Sequence, residues 1–323
     1  MTQPRKTLVC VDDTPFYHVT SRCVRRSYLC GIDRITGNDY QHRRLFIEQR
    51  IHLLSSIFAI DIAAYAVMSN HIHLVVKLTP EIIENWSDDE ALQRWTSLFK
   101  GPLLVQKKRQ GQSLDSAEKH SLKLLLTTYR ERLSNLGWFM KCLNEPITRI
   151  ANKEDGCTGH FWEARYHSQA LFSEAALLSC MAYVDLNSIR AKMDQTPETS
   201  RHTSIKERIT QTLNLADNIA EIIQAQGLNQ FSLPLKALLN FEGNTIADKQ
   251  NGILLSLPDY MELVDTTGRI IREDKRGVIP LHLPPILDRL GIDRKTWITN
   301  ATSFEKIYQK RFAKKRRRLK QAA

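Results

Sequence analysis

Two short segments of this chain carry residue types at spacings that could do chemistry: His71-Ile72-His73 and Tyr183-Val-Asp-Leu-Asn187. On a strand, side chains alternate between faces, so His71 and His73 share one face and Ile72 points into the core. Two imidazoles on a rigid strand make half of a divalent-metal site. Tyr183 and Asn187 are four residues apart, so on a helix they share one face, a turn apart. The Asn187 carboxamide oxygen is a fitting ligand for a hard cation, and the Tyr183 phenol is a possible nucleophile. A phenol of pKa about 10 is a poor nucleophile at neutral pH. It becomes usable when a metal polarises a phosphate and stabilises the charge of the transition state. Each residue also has a plainer reading: two ordinary histidines, a core tyrosine, and a helix-capping asparagine.

The elements that would position these groups can be read in order. Phe16-Tyr-His-Val-Thr-Ser-Arg22 alternates and is β-rich, predicting a first strand. Asp39 to Phe58 has apolar residues at helical spacing. Asp61 to Met68 reads as a second strand, Ser69-Asn70 as a turn, and His71 to Leu78 as a third strand. Strand, helix and hairpin open an α+β sandwich with an antiparallel sheet. Asp88 to Leu133 reads as polar helix broken by a basic loop at Gln106-Lys-Lys-Arg-Gln-Gly-Gln, and Asn135-Leu-Gly137 as a break. Trp138 to Lys153 reads as helix, and Phe161 to Leu171 as a strand. Ser173 is placed to cap a helix running to about Lys192. Beyond about residue 200 short helical segments alternate with loops, and the chain closes on a basic run.

With 323 residues, the chain is long enough for one large domain and an accessory one. Hydrophobic residues make up 42%, ample for a packed core. Lys+Arg number 46 against 35 Asp+Glu, a net charge of +11 that favours a polyanionic partner such as nucleic acid. The six cysteines form no Cys-x-x-Cys pair, which argues against a zinc ribbon and reads as reduced cytosolic thiols. No apolar run is long enough to span a bilayer, and the first residues lack the apolar core of a signal peptide.

Three separated motifs resemble those of the REP-associated tyrosine transposases, within the single-tyrosine HUH transposases. Ala66-Val-Met-Ser-Asn-His71-Ile72-His73 is similar to the family's His-hydrophobe-His strand. Gly159-His-Phe-Trp-Glu-Ala-Arg-Tyr-His-Ser-Gln resembles its G-x-x-W-x-x-R-x strand. Tyr183-Val-Asp-Leu-Asn187-Ser188-Ile189-Arg190-Ala191 resembles its Y-x-x-x-N-P-V-R-A segment, with Ser188 where the family usually has Pro. The resemblance spans about residues 12–200. It implies a ferredoxin-like antiparallel sheet with helices on its faces, the HUH nuclease core, carrying extra helical material at about 81–135. Residues 201–323 would form a mainly helical accessory region with a basic tail. It further implies Tyr183 as nucleophile, and His71, His73 and Asn187 as ligands of Mg²⁺ or Mn²⁺. The implied reaction cleaves and rejoins single-stranded, hairpin-bearing DNA of repetitive palindromic elements through a 5′-phosphotyrosine. It favours a monomer, in the cytoplasm of a bacterium and at its nucleoid. Two rival readings are a transposase-derived protein that grips structured nucleic acid without cutting it, and a phosphodiesterase that uses water instead of Tyr183.

Further residues read as phosphate contacts, each beside a plainer role. Arg22, Arg25 and Arg26 follow the first strand and are phosphate ligands or a solvated turn. Arg165 meets the scissile strand or pairs with a carboxylate. Arg190 touches phosphate or the end of a helix. Trp162 stacks a flipped base or packs in the core. Lys314, Lys315, Arg316, Arg317 and Arg318 in the tail would add salt-sensitive, non-specific affinity.

Overall fold

The computed structural model describes residues 9–24, 29–33, 37–211, 219–228, 231–242, 252–271 and 273–289. The elements in chain order are β1 (Phe16–Arg22), α1 (His42–Ile57), β2 (Ile60–Val67), β3 (His71–Leu78), α2 (Asp88–Leu98), α3 (Leu103–Arg109), α4 (Ser116–Leu133) and α5 (Leu136–Glu154). They continue with β4 (His167–Ala170), α6 (Glu174–Asp185), α7 (Asn187–Arg190), α8 (Ser204–Thr210), α9 (Ile219–Ala225), α10 (Leu257–Arg269) and α11 (Ile286–Arg289). The chain folds as two compact units interleaved along the sequence: 1–172 with 202–238, and 173–201 with 239–323.

The first unit holds a four-stranded antiparallel sheet in the order β2-β3-β1-β4. This is the α+β, ferredoxin-like order expected: β3 lies between β1 and β2, and β4 adds outside β1. The order follows from connection lengths. Ser69-Asn70 allows only a hairpin between β2 and β3, whereas α1 carries the chain across from β1 to β2. Direct pairing of Thr20 with His73, and of Arg22 with His71, fixes which side chains share a face. Tyr17, Val19, Ile72, Leu74, Val76, Tyr65 and Val67 are buried in the core beneath the helices. The opposite face therefore carries His18, Thr20, Arg22, His71 and His73, with His167 opposite Thr20 on β4.

Local chemistry explains the helices between β3 and β4. Asp115 and Glu118 form a reciprocal capping box that starts α4. Asn135 accepts from the N–H groups of Gly137 and Trp138, so the expected break at Asn135-Leu-Gly137 is a helix start. The expected basic loop is likewise mostly the end of α3, where Lys107 pairs with Glu118 and Lys108 with Asp89. Trp95 of α2 stacks on Tyr129 of α4 at 4.6 Å and meets Trp138 of α5 edge to face at 5.5 Å, giving these helices an aromatic core. Arg50, 5% exposed, donates to the carbonyls of Cys142 and Gln226 and so ties α1 to α5 and to the segment after α9.

Only His167–Ala170 of the strand expected at 161–171 is regular strand. Upstream, one bridge pairs Cys23 with Trp162. Val24 N–H donates to the Phe161 carbonyl at 2.9 Å, and Glu163 N–H to that of Arg22 at 2.8 Å. The helix expected from Ser173 to about Lys192 is two pieces, α6 and α7, with Leu186 between them.

In the second unit α6 packs against α10. Buried Asp185 accepts the Tyr260 hydroxyl at 2.5 Å. Gly277 approaches Ile189 so closely that a Cβ would sit 1.8 Å from its carbonyl oxygen, so only glycine fits there. No helix among the described residues is long and apolar enough to cross a membrane. All six cysteines are free.

Candidate functional site

His71 and His73 stand on the face away from the helical core, at the start of a central strand. Their rings lie edge to face with centroids 4.7 Å apart. His71 Nδ1 is 2.6 Å from Asn70 Oδ1. A carboxamide oxygen only accepts, so Nδ1 carries the proton and Nε2 keeps the lone pair. His73 is 5% exposed; its Nδ1 is 3.0 Å from His18 Nε2 and 3.2 Å from Thr20 Oγ1. Metal-binding histidines are typically held this way, with the other ring nitrogen fixed by a partner outside the metal's ligand set.

His18 is a member of this face that the sequence reading passed over. Its ring stacks on His73 at 5.2 Å and 15°. Burial first, then the charge of His167, pushes its imidazole down from 6.5 to about 4. It is therefore neutral at pH 7, when its Nε2 can accept from His73. The signal for it lay in the alternation of Phe16-Tyr-His-Val-Thr-Ser-Arg22, which puts His18, Thr20 and Arg22 on one face. The register that sets that face beside His73 is not in the pattern.

Two imidazoles side by side on one strand face are ligand types that suit a divalent cation which also takes oxygen ligands. Among the described residues, no group of three or more His, Cys, Asp or Glu side chains is arranged to hold a metal ion. His18 and His167 share the face with His71 and His73.

Tyr183 and Asn187 belong to the second unit. Ser173 Oγ accepts from Ala176 N–H and starts α6, and Tyr183 falls in its last turn. Tyr183 is 41% exposed, which removes the core-packing reading. The Asn187 amide nitrogen donates to the Tyr183 carbonyl at 2.9 Å. Asn187 thus does cap a turn, through its nitrogen end, and its oxygen end is the one suited to a cation. Ser188 falls in the first turn of α7, where serine and proline are both tolerated.

The expected DNA contacts fare unevenly. Arg22 is exposed on the histidine face, and Arg165 is exposed on the rim of a groove. Arg190 is a correction. It is 9% exposed, and its guanidinium donates to the carbonyls of Thr267 and Ile270, both at 2.7 Å. A buried guanidinium satisfied by backbone oxygens holds the end of α10 and has no surface from which to meet phosphate. Of its two readings, the helix-end role is the right one, on a different helix from its own. Arg25, Arg26 and the tail residues Lys314 to Arg318 lie outside the described residues.

The groove, ≈ 780 Å³, runs between α5 and residues 159–166. Trp162 lines it, with its indole N–H donated to the Asn144 carbonyl at 3.0 Å and its ring edge-on to Phe161 at 5.2 Å.

No protein-family model matches the sequence, and no curated protein matches it. A solved structure described as a REP-associated tyrosine transposase bound to a REP hairpin is similar, with a TM-score of 0.34 and 11% identity. The similarity covers 74% of this chain and 99% of that one.

Proposed function

We propose that this protein is a metal-dependent DNA strand transferase that cleaves and rejoins single-stranded, hairpin-bearing DNA, with Tyr183 as nucleophile. The observation that carries the reading is the pair His71 and His73, each held through Nδ1 so that Nε2 can ligate. Metal-ligating histidines commonly have the other ring nitrogen held in this way. An exposed tyrosine in a capped helix, the Asn187 amide beside it, and the +11 charge are consistent with it.

His71, His73 and Asn187 would hold Mg²⁺ or Mn²⁺, which supplies Lewis-acid polarisation of the scissile phosphate. Tyr183 Oη loses its proton and attacks phosphorus. The bond from phosphorus to the 3′ oxygen breaks, and that oxygen leaves as a 3′-hydroxyl after taking up a proton. A 5′-phosphotyrosine remains, and a second 3′-hydroxyl reverses the step to rejoin a strand. Arg22, on the histidine face, would bind a neighbouring phosphate. The partner is a DNA hairpin with a single-stranded flank, of the kind found in repetitive palindromic elements.

The test is a denaturing gel of purified protein with labelled hairpin DNA from repeats flanking its own gene, plus Mg²⁺ or Mn²⁺. A protein-sized labelled adduct should form with wild type and vanish with Tyr183→Phe. Cleavage that survives in the variant without an adduct would replace this reading with a water-using phosphodiesterase. Tight binding without cleavage would replace it with a binding protein.

A further inference from the structure

The reaction above needs a proton that none of the residues named for it supplies. The 3′ oxygen must take one up as it leaves, and an incoming 3′-hydroxyl must lose one when a strand is rejoined. We propose that His167 serves both steps, as general acid in cleavage and general base in rejoining. This role rests on the strand-transfer reading and adds one catalytic residue to it.

Register puts His167 on the right face. Thr20 pairs directly with His73 on one side and with His167 on the other, so all three side chains project from the same side of the sheet. Adjacent strands lie about 4.8 Å apart, which sets the Cα atoms of His73 and His167 about 10 Å apart, a span that two side chains and a phosphodiester can bridge. Exposure then separates the four imidazoles of this face. His73 is buried, His18 and His71 are half-buried, and His167 is exposed. A general acid must hold a proton and regain it from water, and an exposed imidazole does both near neutral pH. Arg22 and Gln169 are also exposed on this face, but a guanidinium does not give up its proton and a carboxamide does not ionise. Burial first, and then the charge of His167, hold the His18 imidazole down at about 4. Of these two neighbours, His167 is therefore the one that carries the proton.

The step balances without any further reactant. Tyr183 Oη forms its bond to phosphorus, the bond from phosphorus to the 3′ oxygen breaks, and its electron pair goes to that oxygen. The imidazolium of His167 gives its N–H proton to the same oxygen, leaving a 3′-hydroxyl and a neutral imidazole. In rejoining, the neutral imidazole takes the proton of the incoming 3′-hydroxyl as that oxygen attacks the phosphotyrosine, and the phenol is released. One residue used in both directions is what reversal of a single step requires.

The experiment uses the full chain with Mn²⁺ and two versions of one hairpin DNA: the natural phosphodiester, and one with sulfur in place of the 3′ oxygen at the scissile bond. A thiolate leaves far more readily than an alkoxide and needs no proton in the transition state. Adduct formation is followed in single turnovers, and hairpin affinity by fluorescence anisotropy without metal. His167→Gln should slow the oxygen substrate at least about 100-fold and leave the sulfur substrate within about threefold of wild type. Hairpin affinity should be unchanged. Free imidazole should restore the oxygen substrate to His167→Ala, an independent variant should His167→Gln fail to fold. Equal slowing of both substrates, or loss of hairpin affinity, would make His167 a structural or DNA-contacting residue and overturn the role. Normal rates on both substrates would overturn it too, while leaving the Tyr183 adduct standing. A wild type that forms no adduct with either substrate would overturn both this role and the strand-transfer reading.

Discussion

His18 gives the sharpest quantitative prediction, because its surroundings fix both its charge and its linkage to stability. In the folded chain its imidazole titrates at about 4, pushed down from 6.5 by burial and then by His167. Between those two values the unfolded chain binds a proton at His18 and the folded chain does not. Stability must therefore rise with pH across this window, and fall as pH is lowered from 6.5 towards 4. At 1.36 kcal/mol per pH unit the fall amounts to about 3 kcal/mol between pH 7 and pH 4, an upper figure since local relaxation would hydrate the ion. The perturbation is His18→Asn, which removes the titration but keeps a polar side chain. The assay is urea unfolding followed by tryptophan fluorescence at pH 4, 5, 6 and 7. Trp86, Trp95, Trp138 and Trp162 lie in the first unit and Trp297 in the second, so a Trp297→Phe background confines the signal to the unit that contains His18. The difference between wild type and variant isolates His18 from other groups that titrate in the same range. It should narrow or reverse by about 3 kcal/mol in the variant's favour as pH falls. A difference that stays flat from pH 7 to 4, or an NMR titration placing His18 at or above 6.5, would refute the buried, neutral His18 inferred here.

Two further substitutions separate structural from chemical roles. Arg190→Ala removes two 2.7 Å hydrogen bonds from a buried cation to backbone carbonyls, and should cost on the order of 3 kcal/mol. Faster hydrogen exchange at the end of α10 should report it, with hairpin affinity unchanged for the molecules that remain folded; a selective loss of DNA affinity with normal exchange would return Arg190 to the phosphate role. His71→Ala should weaken Mn²⁺ binding, measured by calorimetry, by at least about tenfold while leaving hairpin binding largely intact. Equal loss of both would mark His71 as structural.

The sequence made the hairpin legible because Ser69-Asn70 separates two apolar runs, and local turn chemistry needs no distant partner. The His-x-His face and the Ser173 cap were legible for the same reason. The helix start at Asn135 and the helical end of α3 at 106–109 are not legible, because Gly137 and three consecutive basic residues look like loop, while the Asn135 cap and the pairs with Glu118 and Asp89 override that bias. The 161–171 strand was overextended because a β-rich composition does not reveal which residues find a ladder; only one bridge and two backbone bonds form before His167. Arg190 shows a different limit. Whether an arginine meets phosphate or backbone depends on what folds against it, and its partners lie 77 and 80 residues away.

His18 shows why the site was only half visible. Alternation assigns a side chain to a face, but long-range register assigns it to a neighbour. In the order β2-β3-β1-β4 the first strand lies between the histidine strand and β4, so Thr20 is set against His73 and His167, and Arg22 against His71. Thr20 and His18 thereby come to hold His73 Nδ1 from one side, while Asn70, in the hairpin turn, holds His71 Nδ1 from the other. One partner comes from the adjacent residue and the others from more than 50 residues upstream. The motif alone supplies two imidazoles. The topology supplies the polar neighbours that fix Nδ1 of each ring, which the motif cannot show.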